Sequence, residues 1–197
     1  MKKTHHSLYT ATAAPSLIDI PELSYLMADG LGDPSGDHYK AVVEGLYGVA
    51  YAIRTELKPT LTYSVAPLEG LWEGTPDDRA AMQWTMCILQ PEPVTPEMVA
   101  RAVDVVRRKK PGAEVGGIRL APMAGGRAAQ ILHTGPYSEE PATVGTLMKF
   151  IFGQGLTVVG RHREIYLSVP DRTAPEKMRT IIRYPVAALA AAHGAEG

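Results

Sequence analysis

The sequence has a single cysteine, Cys87, among its 197 residues. One thiol excludes an intrachain disulfide and any zinc site built on cysteines. It fits a reducing compartment, so a cytoplasmic location is expected. In its apolar surroundings Cys87 reads as a small core residue. Long hydrophobic runs are missing too, and no stretch approaches the length needed to span a bilayer. The start, Met1-Lys2-Lys3-Thr4-His5-His6, is basic but leads into mixed polar sequence, unlike a secretory signal. Neither sign of charge dominates. Twenty Lys and Arg face 21 Asp and Glu, for a formal net charge of −1. No basic stripe is present to neutralise phosphates, which argues against a nucleic-acid partner and against membrane-surface binding. The segment before Ile20 is too short for a helix-turn-helix unit. Histidines 5, 6, 38, 133, 162 and 193 lack metal-ligand spacing. No nucleophile elbow, phosphate loop or dinucleotide turn occurs, and Gly30 to Gly36 lacks the spacing for any of them. Neither metal nor cofactor is expected.

What is present is a chain with 45% hydrophobic residues, long enough to bury a core as one large domain or two small fused units. It carries an internal repeat. Leu61-Thr62-Tyr63 matches Leu156-Thr157-Val158, Glu69 matches Glu164, Leu71 matches Tyr166 and Thr85 matches Thr180, at a constant offset of 164 − 69 = 95.

Each half reads as strand, helix, strand, strand. In the first, Leu23 to Ala28 is a strand closed by the Gly-rich turn Asp29 to Gly36, after which Asp37 can cap a helix. The helix runs from about His38 to Glu56, with Val42, Val43, Leu46, Val49, Ala50 and Ile53 on one face. Strands near Thr62 to Trp72 and Met82 to Leu89 follow, separated by the turn Gly74 to Asp78. In the second half Arg127 to His133 is a strand, Gly135 to Ser138 a turn, and Glu140 to Phe152 a helix; Thr157 to Ser168 and Met178 to Tyr184 are the strand pair. Between the halves, Thr95 and Pro96 start a helix that Lys109-Lys110-Pro111-Gly112 ends, and Gly117 to Pro122 returns as a strand. The alanine-rich tail from Ala187 is expected to fray. The organisation expected is one domain over 1–197, with a first repeat at about 20–92, the connecting helix and strand at about 95–122, and a second repeat at about 126–186. Two such α+β units side by side would form antiparallel sheets with helices on one face, leaving a central groove for a ligand.

The strand around Glu164 carries the chemistry. Alternation puts His162, Glu164 and Tyr166 on one face and Arg163, Ile165 and Leu167 on the other. A carboxylate on an apolar sheet needs a partner, a proton, water or a cationic ligand. The plainer alternative is an exposed edge residue or an ion pair with a nearby arginine. Glu69, its repeat partner, reads as a second ligand group or a structural carboxylate. Trp72, Trp84, Tyr137 and Tyr166 lie on or beside the strands bordering the groove, where flat faces with a polar handle suit a planar or cationic ligand; ordinary core packing is the alternative. Met27, Met82, Met86 and Met123 could add an adaptable lining. Asp104 and Arg107 to Lys110 read as a solvated helix face.

Taken together, the motifs Ile18-Asp19-Ile20-Pro21, Asp29-Gly30-Leu31-Gly32-Asp33-Pro34, Pro67-Leu68-Glu69-Gly70-Leu71-Trp72, Gln90-Pro91-Glu92-Pro93-Val94-Thr95, His133-Thr134-Gly135-Pro136-Tyr137, Glu140-Pro141-Ala142-Thr143, Glu164-Ile165-Tyr166-Leu167-Ser168 and Pro175 to Pro185 resemble the GyrI-like small-molecule-binding proteins, from about Ile20 to Val186. The resemblance implies a GyrI-like/SOUL-like pseudo-twofold fold with a buried glutamate at Glu164 facing cationic aromatic ligands. Stand-alone members similar to this chain hydrolyse the cyclopropane of spirocyclopropyl-cyclohexadienone DNA alkylators, within an aromatic cage. That implies Trp72, Trp84, Tyr137 and Glu164 as the cage and its polar group; with the reading of the strands, Glu164 and Tyr137 are the expected catalytic groups, and Trp72, Trp84, Tyr166, Glu69, His162 and Met86 the expected ligand contacts. One departure is Trp72-Glu73, where close members often read Trp-Trp. The alternative is a non-catalytic module that binds or senses drugs. Some proteins of the same general fold bind haem, for which His133 or His162 would have to be the axial ligand.

Overall fold

The structure, a computed structural model, describes residues 5–74 and 78–189. Nine strands and three α-helices alternate: β1 Ser16–Ile20, β2 Leu23–Leu31, α1 Asp37–Leu57, β3 Leu68–Glu73, β4 Gln83–Leu89, α2 Pro96–Lys109, β5 Arg119–Met123, β6 Gly126–Thr134, α3 Glu140–Gly153, β7 Leu156–Val158, β8 His162–Tyr166 and β9 Arg179–Ala188. The expected face of α1 is the buried one, with Val42, Leu46, Val49, Ala50 and Ile53 inside. Its N-cap is Gly36, and Asp37 falls instead in the first turn, where a negative charge suits the helix dipole. α2 starts as its sequence predicts, the Thr95 hydroxyl accepting from the Met98 N–H and Pro96 standing at N1. The turn expected at Gly74 to Asp78 falls mostly outside the described residues, as does the tail beyond Leu189.

The strands form one antiparallel sheet in the order β1-β6-β9-β8-β3-β4-β2-β5, with β7 added to the end of β9. The order is palindromic about the β8–β3 pair. It also shows an exchange that sequence patterns do not announce: β1 precedes the first half but pairs with β6 of the second, and β5 precedes the second half but pairs with β2 of the first. The leading strand of each half thus crosses the centre, tying the halves into one sheet.

The duplication is real, but its alignment differs from the constant offset of 95. β1 and β2 superpose on β5 and β6 at 119 − 16 = 103, β3 on β8 at 162 − 68 = 94, and β4 on β9 at 179 − 83 = 96. The change from 103 to 94 falls between the α1 and α3 regions, of which α1 is the longer helix. An offset of 95 splits the difference between 94 and 96, and being one residue out inverts every side chain. Gly70, not Glu69, pairs across the axis with Glu164. Glu69 shares its face with Arg163 and Ile165, whereas Glu164 shares the other with Gly70, Trp72, His162 and Tyr166.

Proline explains two boundary differences. The predicted strand from Thr157 to Ser168 is broken into β7 and β8, because its midpoint faces Pro185, which has no N–H to donate; the Val159 N–H donates to the Pro185 carbonyl instead. The first half has no counterpart of β7. Pro91 stands where β4 would have continued as β9 does, and the predicted strand from Thr62 begins only at Leu68.

α1 and α3 both cover the Glu164 face. Tyr39 of α1 packs over Trp72 and Trp84, and Thr143 of α3 meets His133 of β6. α2 lies along α1 and reaches β5.

Candidate functional site

The two central strands bring a row of polar groups together between the N-terminal ends of α1 and α3. The Trp72 indole N–H donates to the Tyr166 hydroxyl at 3.0 Å, and that hydroxyl donates to Glu164 Oε2 at 2.7 Å. Glu164 Oε1 lies 3.2 Å from His162 Nε2, without the alignment of a hydrogen bond. His162 Nδ1 is bonded to the Tyr184 hydroxyl at 2.8 Å. Trp72 and Tyr166 are themselves a twofold-related pair, 94 positions apart (166 − 72), so this contact bridges the axis. The Glu164 side chain keeps 14% of its surface exposed, enough for a ligand or water to reach it.

Gly70 makes this arrangement possible. A Cβ there would come within 2.7 Å of the Trp72 indole nitrogen, 2.8 Å of Met86 Cε and 3.0 Å of the Tyr166 hydroxyl. The position related to Glu164 by symmetry is therefore empty space filled by its neighbours, and the floor holds one strand-borne carboxylate instead of two.

A second carboxylate arrives from elsewhere. Glu140, at the start of α3, is buried against Glu164 and Thr180. Burial raises its pKa, and the charge of Glu164 and a hydrogen bond to Glu164 push it further up; only the contact with Thr180 opposes them. Glu140 thus holds its proton above the ordinary carboxylate range. Its Oε1 has no hydrogen-bond partner. The tyrosines nearby are held neutral: burial, reinforced by the charge of Glu164, raises Tyr39 and Tyr166 and pushes Tyr137 and Tyr184 up to about 12.

The residues expected at the site are distributed unevenly. Trp72, His162, Glu164 and Tyr166 gather on the floor. Tyr137 stands at the rim in a single 3₁₀ turn, 41% exposed, its ring edge-on to Tyr166 with centroids 6.1 Å apart. Trp84 lies on the same face but is buried. Its ring fills the space beside Gly30, its N–H donates to the Gly32 carbonyl, and Tyr39 covers it edge-on at 5.1 Å. Met86 is equally buried, its sulfur accepting from the Tyr39 hydroxyl at 3.4 Å. Both form the layer beneath the surface that a ligand would meet. Glu69 is on the opposite face, paired with Arg163 and accepting from the Tyr9 hydroxyl at 3.0 Å. Of the two roles the sequence allowed it, this is the structural one. Both ring nitrogens of His133 are bonded, to Thr143 and to the Pro136 carbonyl.

Sequence reasoning missed Glu140, Tyr39 and Tyr184. Glu140-Pro141 was legible only as a helix start, and no periodicity shows which first-turn carboxylate turns inward. Tyr39 lies at the amphipathic boundary of α1. Tyr184 follows from β9 alternation once Glu164 is placed, since the two share a face.

The described residues include no group of three or more His, Cys, Asp or Glu placed to hold a metal, and no helix long and apolar enough to cross a membrane. Among curated proteins none matches the chain. Among solved structures, an uncharacterised conserved protein from Listeria innocua superposes with a TM-score of 0.88 at 38% identity, covering 94% of this chain and 98% of that one. A protein described as a hydrolase from the same organism gives 0.84 at 39% identity with the same coverage. The C-terminal domain of EcmrR, at 17% identity and a TM-score of 0.62 over 89% of this chain and 98% of that one, shares the fold. Residues 13–187 match the GyrI-like small molecule binding domain, and the chain belongs to that family.

Proposed function

We propose that the chain is a hydrolase that adds water to the cyclopropane of spirocyclopropyl-cyclohexadienones, protecting the cell from such alkylators. The observation that carries this is the Glu164 carboxylate, partly exposed among Trp72, Tyr137 and Tyr166, with a protonated Glu140 behind it. The Listeria innocua protein described as a hydrolase, 39% identical over nearly the whole chain, supports a hydrolytic reading. In the reaction a water oxygen attacks a cyclopropane carbon. The ring C–C bond breaks, and its electron pair aromatises the dienone to a phenolate. Glu164 accepts the proton of the attacking water, and Tyr137 donates to the developing phenolate oxygen. Strain relief and aromatisation drive the step, so positioning supplies most of what the protein must add. Trp72 and Tyr166 provide the stacking faces. Glu73 is exposed and falls by strand alternation on the opposite face, so Trp72 alone forms that part of the wall.

Purified protein incubated with such a compound should yield a product heavier by one water, faster than the protein-free control. Glu164→Gln should reduce the rate by about 10²–10⁴-fold, and Tyr137→Phe by less. Equal rates with and without protein would remove the activity.

A second reading, binding without turnover, is favoured by one observation: Glu164 Oε2 is already bonded to Tyr166, which leaves a carboxylate set for charge recognition. Calorimetry with an aromatic cation then shows binding that Glu164→Gln abolishes, with no product formed.

A further inference from the structure

The face of the sheet opposite Glu164 contains a cavity of different chemistry. It measures about 190 Å³ and is bounded by four arginines, Arg127, Arg161, Arg163 and Arg183, with no acidic residue in its lining. The remainder of the wall is apolar or glycine; Leu71 is the cross-strand partner of Arg163, whose Nη1 donates to the Met123 sulfur at 3.1 Å. Arg163 and Arg183 are cross-strand partners on β8 and β9, so two guanidiniums project side by side from the sheet.

Their charges are unequally answered. Arg163 is matched by Glu69, its Nε donating at 2.7 Å. Arg183, with 2% of its surface exposed, has only neutral acceptors among the described residues: Gln130 Oε1 at 2.6 Å and 3.1 Å, and the Leu8 carbonyl at 2.7 Å. Arg161 donates to the Thr85 hydroxyl at 3.0 Å. The nearby Asp29 carboxylate is taken by Arg119 at 2.7 Å and by that same hydroxyl. Arg127 is exposed at the mouth, with Asp19 across from it in register on β1. A guanidinium buried without a counter-charge is costly, and an anion entering the cavity would answer it. The burial and the neighbouring Arg163 charge that pull Arg183 down are what such an anion would offset.

We propose that this cavity is a binding site for a small organic carboxylate, its carboxyl group held by Arg161 and Arg183 and its apolar body against Leu71 and Met123. Guanidinium forks match carboxylates in geometry as well as charge. The volume is below the roughly 300–1,000 Å³ of drug-sized pockets, so it suits a single ring or a short chain. The site lies across the sheet from Glu164, and it presents guanidinium groups where the other face presents carboxyl groups.

The test uses the full chain with benzoate, its neutral analogue benzamide and inorganic phosphate as probes, read by calorimetry and ligand-observed NMR. Benzoate should bind saturably, with benzamide at least about tenfold weaker and Arg161→Gln costing about tenfold. Glu164→Gln should leave benzoate affinity unchanged, which separates this site from the one proposed for catalysis. Arg183→Gln tests the deepest contact but could unfold the core; Arg161 is only half-buried, so its substitution keeps the test informative. Absence of saturable benzoate binding, equal binding of benzamide, or an unaltered affinity in Arg161→Gln would overturn the proposal. Binding of phosphate without benzoate would overturn the organic-acid assignment.

Discussion

The central strands β3 and β8 present two carboxylates to opposite sides of one sheet, and the two are treated in opposite ways. Glu69 is 1% exposed and saturated: Arg163 pairs with it and the Tyr9 hydroxyl donates to it. Glu164 faces neutral tyrosines, a histidine and another carboxyl, with no arginine among its described contacts. Glu69 and Arg163 are twofold equivalents, as are Gly70 and Glu164, each pair 94 positions apart (163 − 69 and 164 − 70). Two adjacent duplicated positions therefore became an ion pair on one face and a single strand-borne carboxylate on the other. A matched charge consolidates the fold, whereas an unmatched one is available to a ligand.

Glu69→Gln tests this contrast with the largest effect. It leaves Arg163 buried beside an amide, and removing one member of a buried pair costs about 3–5 kcal/mol. Urea denaturation should show a loss of that size, against less than about 1 kcal/mol for Glu164→Gln, whose amide can still accept from Tyr166. The double variant Glu69→Leu with Arg163→Met should recover most of the stability, because the cost lies in the unpaired charge. Comparable losses for Glu69→Gln and Glu164→Gln would erase the distinction between the faces.

Gly70→Ala acts at the position where the halves diverge. The new methyl group must displace the ends of the Trp72, Met86 and Tyr166 side chains, and overpacking of this kind costs about 1–3 kcal/mol. Its functional effect should exceed its thermodynamic one, since the Trp72–Tyr166 bond that sets the floor is what yields. A crystal structure of the variant should show that bond lengthened or broken, and Trp72 fluorescence should shift. An unaltered spectrum and unaltered ligand affinity would mean that Gly70 only fills space.

Much of this contrast was legible in the sequence. Strand alternation around Glu164 set apart His162, Glu164 and Tyr166 from Arg163, and the repeat announced a twofold fold. What failed was the offset. Two half-repeats displaced by 94 and 96 read as one ungapped 95, which carried Glu69 to the wrong face. A gap of one residue is invisible to matching by residue type, whereas hydrogen-bond register is unforgiving of it. Trp84 and Met86 lie on the Glu164 face but beneath Tyr39. Depth depends on which helix side chain lies above, here Tyr39, and nothing along a strand encodes that. The crossing of β1 and β5 was hidden as well, because partner choice between two similar edges is a long-range matter.

The smallest effect tests the second carboxyl of the Glu164 face. Glu140 takes up its proton more readily in the folded protein than in the unfolded chain, because burial and Glu164 raise its pKa. As pH rises from the ordinary carboxylate range toward neutrality, the unfolded chain releases that proton first, so folding loses stability through this window. Glu140→Gln removes the titration. The variant should have a flatter stability curve than the parent, with its relative gain largest at mildly alkaline pH and smallest at mildly acid pH. Chemical denaturation at the two pH values measures it, and parallel curves would show that Glu140 ionises without cost.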